Sequence, residues 1–299
     1  MGQRFPQSEI RVNKIALDMT TSTALEANAT PPLRVGIAGL GAIGATLAEK
    51  LAGGAVRGAV LSGVAVRNTE KAAEILKQIN SKAQICLSFS QLADCADIVV
   101  ECAPSALLAD ITRPALKAGK KVLVYSVGAL ISNWDLVEFA RQHKGQIIVP
   151  SGALLGLDAV AAAAEGTIHE VRMITRKPVR GLLGAPYLTQ NNIDISNLKE
   201  ATKIFDGTAR EAAVGFPANL NVAVALSLAG VGPDLTKLEI WADPNLTRNT
   251  HRIVVNSDSA LLQMEIQNIP SENPKTGRIT ALSGLSMLRK LSEPLSVGG

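Results

Sequence analysis

Between residues 33 and 149 short apolar runs alternate with longer amphipathic stretches, and this rhythm predicts alternating strands and helices. Strands are expected at 34–38, 60–66, 84–87, 98–102, 121–125 and 146–149, with helices at 43–51, 69–79, 107–118 and 133–143. Strands this uniformly apolar are buried on both faces, so the pattern predicts an α/β fold with a doubly wound parallel sheet. After Pro150-Ser151-Gly152 the rhythm changes. Residues 168–176 alternate like a half-buried strand, helical stretches follow at 208–214 and 218–229, and three strand-like runs then succeed one another at 236–241, 251–255 and 260–267. Consecutive strands without crossover helices predict an antiparallel or mixed sheet, hence a second α+β domain, before a last helix over 277–291. Residues 1–32 show no sustained period and are expected to form a disordered or loosely packed extension. The first domain then covers 33–149, joined by helix 277–291, and the second covers 150–276.

The first strand runs directly into Gly39-Leu40-Gly41-Ala42-Ile43-Gly44, a G-x-G-x-x-G turn opening a helix. In such a turn the first glycine allows the tight bend, the second lets a pyrophosphate approach the backbone, and the third lets helix and strand pack closely. The phosphates rest on free N–H groups at the helix start, so Gly39, Gly41, Ala42, Ile43 and Gly44 are candidate dinucleotide contacts. In NAD-type sites an acid about 20 residues further on takes the ribose hydroxyls. Here the second strand ends Val66-Arg67-Asn68 with no acid. An arginine pairs with a 2′-phosphate, so NADP(H) is expected to be accepted alongside NAD(H), with Arg67 and Asn68 as contacts; the alternative is a solvated strand-end Arg67. Ligands of open α/β sheets lie beyond the strands' carboxyl ends, which adds Ala103, Ser126 and Ala153 as small residues fit to lie beside a nicotinamide.

Composition narrows the function classes. A chain of 299 residues, 47% hydrophobic and 19% charged, is long enough for two cored domains. Its apolar runs are far shorter than the roughly 20 residues needed to span a bilayer, so no membrane segment is expected and a cytoplasmic location is. Cys86, Cys95 and Cys102 lack C-x-x-C spacing and neighbouring histidines, and read as reduced thiols with no metal site. With a net charge of +4 and only 3% aromatics, nucleic acid is a poor partner and an anionic small substrate a better one.

Three histidines limit the search for a near-neutral acid or base. His143 closes a predicted helix beside polar neighbours and His169 begins a strand, both surface positions. His251 opens a strand after the polar, turn-rich stretch 243–250 of the second domain, where a group would meet a cofactor held by the first.

Several separate motifs now fall into one order: Gly-Ala-Leu at 128–130, Pro-Ser-Gly-Ala at 150–153, Thr-Arg-Lys-Pro at 175–178, Phe-Pro-Ala-Asn-Leu-Asn-Val-Ala at 216–223, Asn-Thr-His at 249–251 and Asn-Pro-Lys-Thr at 273–276. Together they resemble the L-aspartate dehydrogenase family from Leu33 to the last helix. The resemblance implies a Rossmann domain with an α+β catalytic domain, a homodimer, and NAD(P)-dependent oxidative deamination of L-aspartate. The iminoaspartate formed hydrolyses to oxaloacetate and ammonia or feeds the pyridine ring of NAD. Carried over by position, His251 is the active-site residue and Ala153 and Asn221 are cofactor contacts. A substrate with two carboxylates needs cationic or backbone N–H receptors, and Arg176, Lys177, Arg248 and Lys275 are the candidate cations. Two alternatives stay open: an NADP-dependent imine or amino-acid reductase acting on another small acid, and a non-catalytic NADP(H) sensor.

Overall fold

Six short strands form the first sheet: β1 (Leu33–Ala38), β2 (Ala59–Ala65), β3 (Gln84–Cys86), β4 (Ile98–Glu101), β5 (Lys121–Val124) and β6 (Gln146–Ile148). They pair in parallel in the order β3-β2-β1-β4-β5-β6. The computed structural model describes residues 31–217, 220–270 and 277–298, so the expectation for 1–32 lies almost wholly outside the described residues. Val35, Ile37, Ile98 and Val100 have no exposed surface, as expected of central strands covered on both faces. The helices of this half are α1 (Ala42–Ala52), α2 (Thr69–Gln78), α3 (Phe89–Cys95), α4 (Leu108–Lys117), α5 (Val127–Leu130) and α6 (Asp135–Gln142). Strand order reverses between β1 and β4, which opens a crevice at their carboxyl ends. The sequence reading lacked α3. Its start is nonetheless encoded: Ser88 accepts from the Gln91 N–H, and the Gln91 side chain accepts from the Leu87 N–H, the S-x-x-Q signature of a helix N-terminus.

The second sheet contains β7 (Ile168–Lys177), β8 (Thr202–Thr208), β9 (Thr236–Ala242), β10 (Asn249–Ser257) and β11 (Leu261–Asn268), in the order β11-β10-β7-β9-β8. β7 and β9 are parallel and the other pairs antiparallel, which makes it a mixed sheet. The content and pairing of this half depart from the expected pattern. Residues 202–208 form a strand, and β9 and β10, though successive, are not neighbours because β7 lies between them. Helices α7 (Leu157–Ala164), α8 (Pro186–Gln190), α9 (Ala209–Gly215) and α10 (Asn221–Ala229) complete this half. Val171, Met173, Leu238, Ile240, Ile253 and Val255 form one core with Phe205, Phe216 and Leu226. Among the described residues no helix is long and apolar enough to cross a membrane.

Two helices join the halves. Val224 and Ala225 of α10 pack into the core of the first sheet. The last helix, α11 (Ile279–Ser292), returns to α1, and Leu288 enters the core behind β1 and β4. It is fixed at the strand ends by Tyr125, whose hydroxyl donates to the Thr280 carbonyl at 3.2 Å, and by Ser283, which accepts from the Gly152 N–H at 3.0 Å. Tyr125 lies so close that a Cβ on Gly284 would stand 1.9 Å from its hydroxyl oxygen. Gly284→Ala is therefore expected to cost about 2 kcal/mol through overpacking, with Tyr125→Phe in the same chain recovering part of the loss. Denaturant unfolding of the single and double variants measures both effects.

Candidate active site

The glycine turn performs three separate geometric tasks. Gly39 sits at φ +95°, and a Cβ there would meet the Cys102 carbonyl oxygen at 2.8 Å. Gly44 is pressed against the turn, where a Cβ would stand 2.0 Å from the Gly39 oxygen. At Gly41 a Cβ would meet nothing within 4 Å, and no side chain caps α1. The open face of Gly41 and the uncapped N–H groups beyond it, from Ala42 and Ile43 onward, fit a pyrophosphate. At the far end of β2, Arg67 is exposed beside Asn68, whose side-chain oxygen accepts from the Lys71 N–H at 2.9 Å and caps α2. Asn68 thus caps α2 with its oxygen, while Arg67 presents the cationic donor suited to a 2′-phosphate.

At the other end of the crevice a buried carboxylate organises two strand exits. Glu101 has no exposed surface; it accepts from the Ser126 N–H at 2.8 Å, the Ser126 hydroxyl at 2.9 Å and the Tyr125 N–H at 3.1 Å. Burial raises its pKa, and hydrogen bonds from Ser126, Tyr125 and the Ala103 N–H oppose the rise. Ser126 is thus turned inward toward Glu101, while half-buried Ala103 follows on the β4 exit. Both shape the crevice through the backbone.

Between these ends and the second sheet lies a cavity lined by Ile43, Ala153, Lys177, Asn221, Asn249 and His251, among others. Asn221 opens α10, and its side-chain oxygen accepts from the Gly128 N–H at 2.9 Å. Ala153 is held by its carbonyl, which accepts from the buried Asn268 amide at 2.9 Å. His251 is only 3% exposed, and Thr175, its register partner on β7, has its hydroxyl 3.1 Å from Nδ1. Nε2 has no protein partner among the described residues. Lys177, 5% exposed, lies two residues beyond Thr175 on the same face of β7. Burial pushes Lys177 down to about 8, and burial followed by the Lys177 charge pushes His251 down to about 3. His251 is therefore a neutral imidazole at physiological pH.

The remaining candidates are placed elsewhere. Strand alternation puts exposed Arg176 on the opposite face from Lys177, with its guanidinium 5.2 Å from the centre of the Trp241 ring. Arg248 is exposed in the turn before β10 and does not line the cavity. Lys275 lies outside the described residues. His169 is exposed and His143 stacks on Phe139. The sequence reading gave no role to Thr175, Asn249 or Glu101. For the first, the alternation Val171, Met173, Thr175, Lys177 carried the signal: it sorts Thr175 and Lys177 to the inner face and Arg176 to the outer one.

Comparison with known proteins completes the assignment. Residues 158–291 match the family model for aspartate dehydrogenase, C-terminal, and residues 39–150 match that for homoserine dehydrogenase, NAD binding domain. The chain is 57% identical over 282 residues to an L-aspartate dehydrogenase of Bradyrhizobium diazoefficiens, covering 94% of this chain and 100% of that one. It is 56% identical over 266 residues to L-aspartate dehydrogenase 3 of Bordetella bronchiseptica, covering 89% and 97%. A crystal structure of aspartate dehydrogenase from Thermotoga maritima matches with a TM-score of 0.65 at 24% identity, over 89% of this chain and 99% of that one, and shows the shared fold. The glycine turn, the buried His251 and these long, near-complete matches lead to one conclusion: the chain belongs to the L-aspartate dehydrogenase family.

Proposed function

We propose that this chain catalyses the NAD(P)-dependent oxidative deamination of L-aspartate to iminoaspartate, which hydrolyses to oxaloacetate and ammonia, and the reverse amination. The observation that carries the reading is a cavity in which buried His251 and Lys177 face the cofactor-side residues Ile43 and Ala153. A bound nicotinamide supplies the hydride acceptor. The chain's own residues do the rest. Lys177, cationic below about 8, pairs with a carboxylate and orients Cα toward the crevice. The substrate ammonium must lose a proton before hydride leaves Cα, and neutral His251 is the acceptor, through Nε2, when Nδ1–H donates to Thr175. The same imidazole serves the water that attacks the imine. Arg67 holds the 2′-phosphate of NADP(H), Asn221 and Ala153 border the nicotinamide, and two chains pair as a homodimer, as the family resemblance implies.

Purified protein given L-aspartate with NADP⁺ or NAD⁺ is expected to produce the near-ultraviolet absorbance of reduced nicotinamide, and D-aspartate is expected to be inert. His251→Ala should lower kcat by about a hundredfold while the Kd for NADPH stays the same. Full turnover in that variant removes His251 from the chemistry.

The buried imidazole also ties stability to pH. The unfolded chain binds a proton at His251 below its ordinary value of 6.5, whereas the folded chain does not until about 3. Between those values the unfolded state holds more protons, so stability falls as pH falls. His251→Gln is expected to abolish this loss, sparing about 2 kcal/mol at pH 5 relative to pH 7. Urea midpoints of both proteins at the two pH values provide the comparison.

Cofactor choice is tested at the other end of the crevice. Arg67→Asp should shift the ratio of kcat/KM for NADP⁺ over NAD⁺ by at least about tenfold toward NAD⁺, since it replaces a phosphate partner with a ribose-hydroxyl acceptor. An unchanged ratio identifies Arg67 as a solvated strand-end residue.

A further inference from the structure

A dicarboxylate presents two anionic groups, yet among the described residues Lys177 is the one cationic side chain that lines the cavity. Within the described wall, the groups that remain for a second carboxylate are neutral donors. The start of α11 lies in the same wall, where Gly277 and Thr280 line the cavity together with Lys177 and His251. Thr280 is 9% exposed. Its carbonyl accepts from the Tyr125 hydroxyl at 3.2 Å and from Ser283 Oγ at 2.7 Å, which fixes the residue in place. Its own hydroxyl has no partner in the protein among the described residues. The hydroxyl is open to the cavity rather than sealed within the protein, so a bound acceptor can take its hydrogen bond. The helix behind it is long, at 14 residues, and no side chain caps its first turn. Of the N–H groups at its start, that of Arg278 donates to the Ile269 carbonyl and that of Thr280 to the Gly277 carbonyl, so the turn offers the cavity its dipole and the remaining N–H groups.

We infer that the first turn of α11, with the Thr280 hydroxyl as donor, receives one carboxylate of the substrate while Lys177 receives the other. This rests on L-aspartate being the substrate. The two receptors stand on different halves of the chain, Lys177 on the second sheet and Thr280 on the helix packed against α1 and Tyr125. A dicarboxylate bridges them and a monocarboxylate cannot. Thr280 is in this way a specificity-determining residue, selecting a second acid group by hydrogen bonding and helix dipole.

Two variants test the assignment, Thr280→Val, which keeps the shape and removes the hydroxyl, and Thr280→Ser, which keeps the hydroxyl. In the first, the KM for L-aspartate should rise about tenfold with the KM for cofactor unchanged, and serine should restore most of the loss. Calorimetric binding of succinate and of propionate to the enzyme with NADPH isolates the second carboxylate. The wild type should prefer succinate, and Thr280→Val should reduce that preference about tenfold. An unchanged aspartate KM and succinate preference overturns the inference, as does a change confined to the cofactor KM, which places Thr280 against the cofactor instead. Wild-type protein that binds NADPH without oxidising L-aspartate overturns the proposed function, and the succinate-to-propionate comparison then decides the carboxylate site independently.

Discussion

The register between β7 and β10 sets Thr175 opposite His251, and the chemistry of the cavity depends on its being held. Side chains alternate across a strand, so a slip of one residue on β7 would carry Arg176 into the cavity and turn Thr175 and Lys177 to the outer face. The register is secured from both sides. β7 pairs with β10 along one edge and with β9 along the other, and its inward-facing Val171 and Met173 are fully buried in a core with Leu238, Ile240, Ile253 and Val255. Each such side chain contributes about 1.5–3 kcal/mol of burial in the correct register, and a slip forfeits several at once. Two polar groups can therefore stand at the end of this strand without unsettling it.

The cofactor side relies on a different device. Strand exits in a parallel sheet leave N–H groups unpaired, and here a single carboxylate collects them: Glu101 takes the N–H groups of Tyr125 and Ser126 together with the Ser126 hydroxyl. The β4 and β5 exits become one rigid rim. Tyr125 then reaches on to α11 through its hydroxyl, so the rim and the first turn of that helix are fixed to one another. An isolated buried carboxylate would be costly, whereas one that accepts from several donors rigidifies its surroundings.

Much of this was legible in the sequence because periodicity and glycine chemistry are local. The parallel sheet, the glycine turn and the change of rhythm at Pro150 each follow from a few adjacent residues, and boundaries shift by only a residue or two, as at α1 and β2. Strand β8 was missed because Thr202-Lys203-Ile204-Phe205-Asp206-Gly207-Thr208 alternates poorly, and its pairing is bulged between Lys203 and Phe205. The insertion of β7 between β9 and β10 is a matter of long-range pairing that no local pattern carries. Among the site residues, His251 and Lys177 could be singled out by type and motif. Glu101 could not, since a glutamate that ends a strand reads the same in sequence whether it points to water or to a ring of buried N–H groups.

Burying a lysine and a histidine side by side at one cavity lowers the basicity of both, and the proposed reaction gives the arrangement its reason. Burial is the larger cause of His251's low basicity and the Lys177 charge the second. In the proposed mechanism a substrate carboxylate settles beside Lys177 and cancels that second cause, while the substrate's ammonium brings its proton into the same cavity. His251 thus becomes a better base when there is a proton for it to take, and a poorer one when the cavity is empty. A monocarboxylic amine held away from Lys177 would leave the imidazole suppressed. Selection of an acidic substrate and activation of the base are then two results of one charge, placed on the inner face of β7 by a two-residue spacing from Thr175.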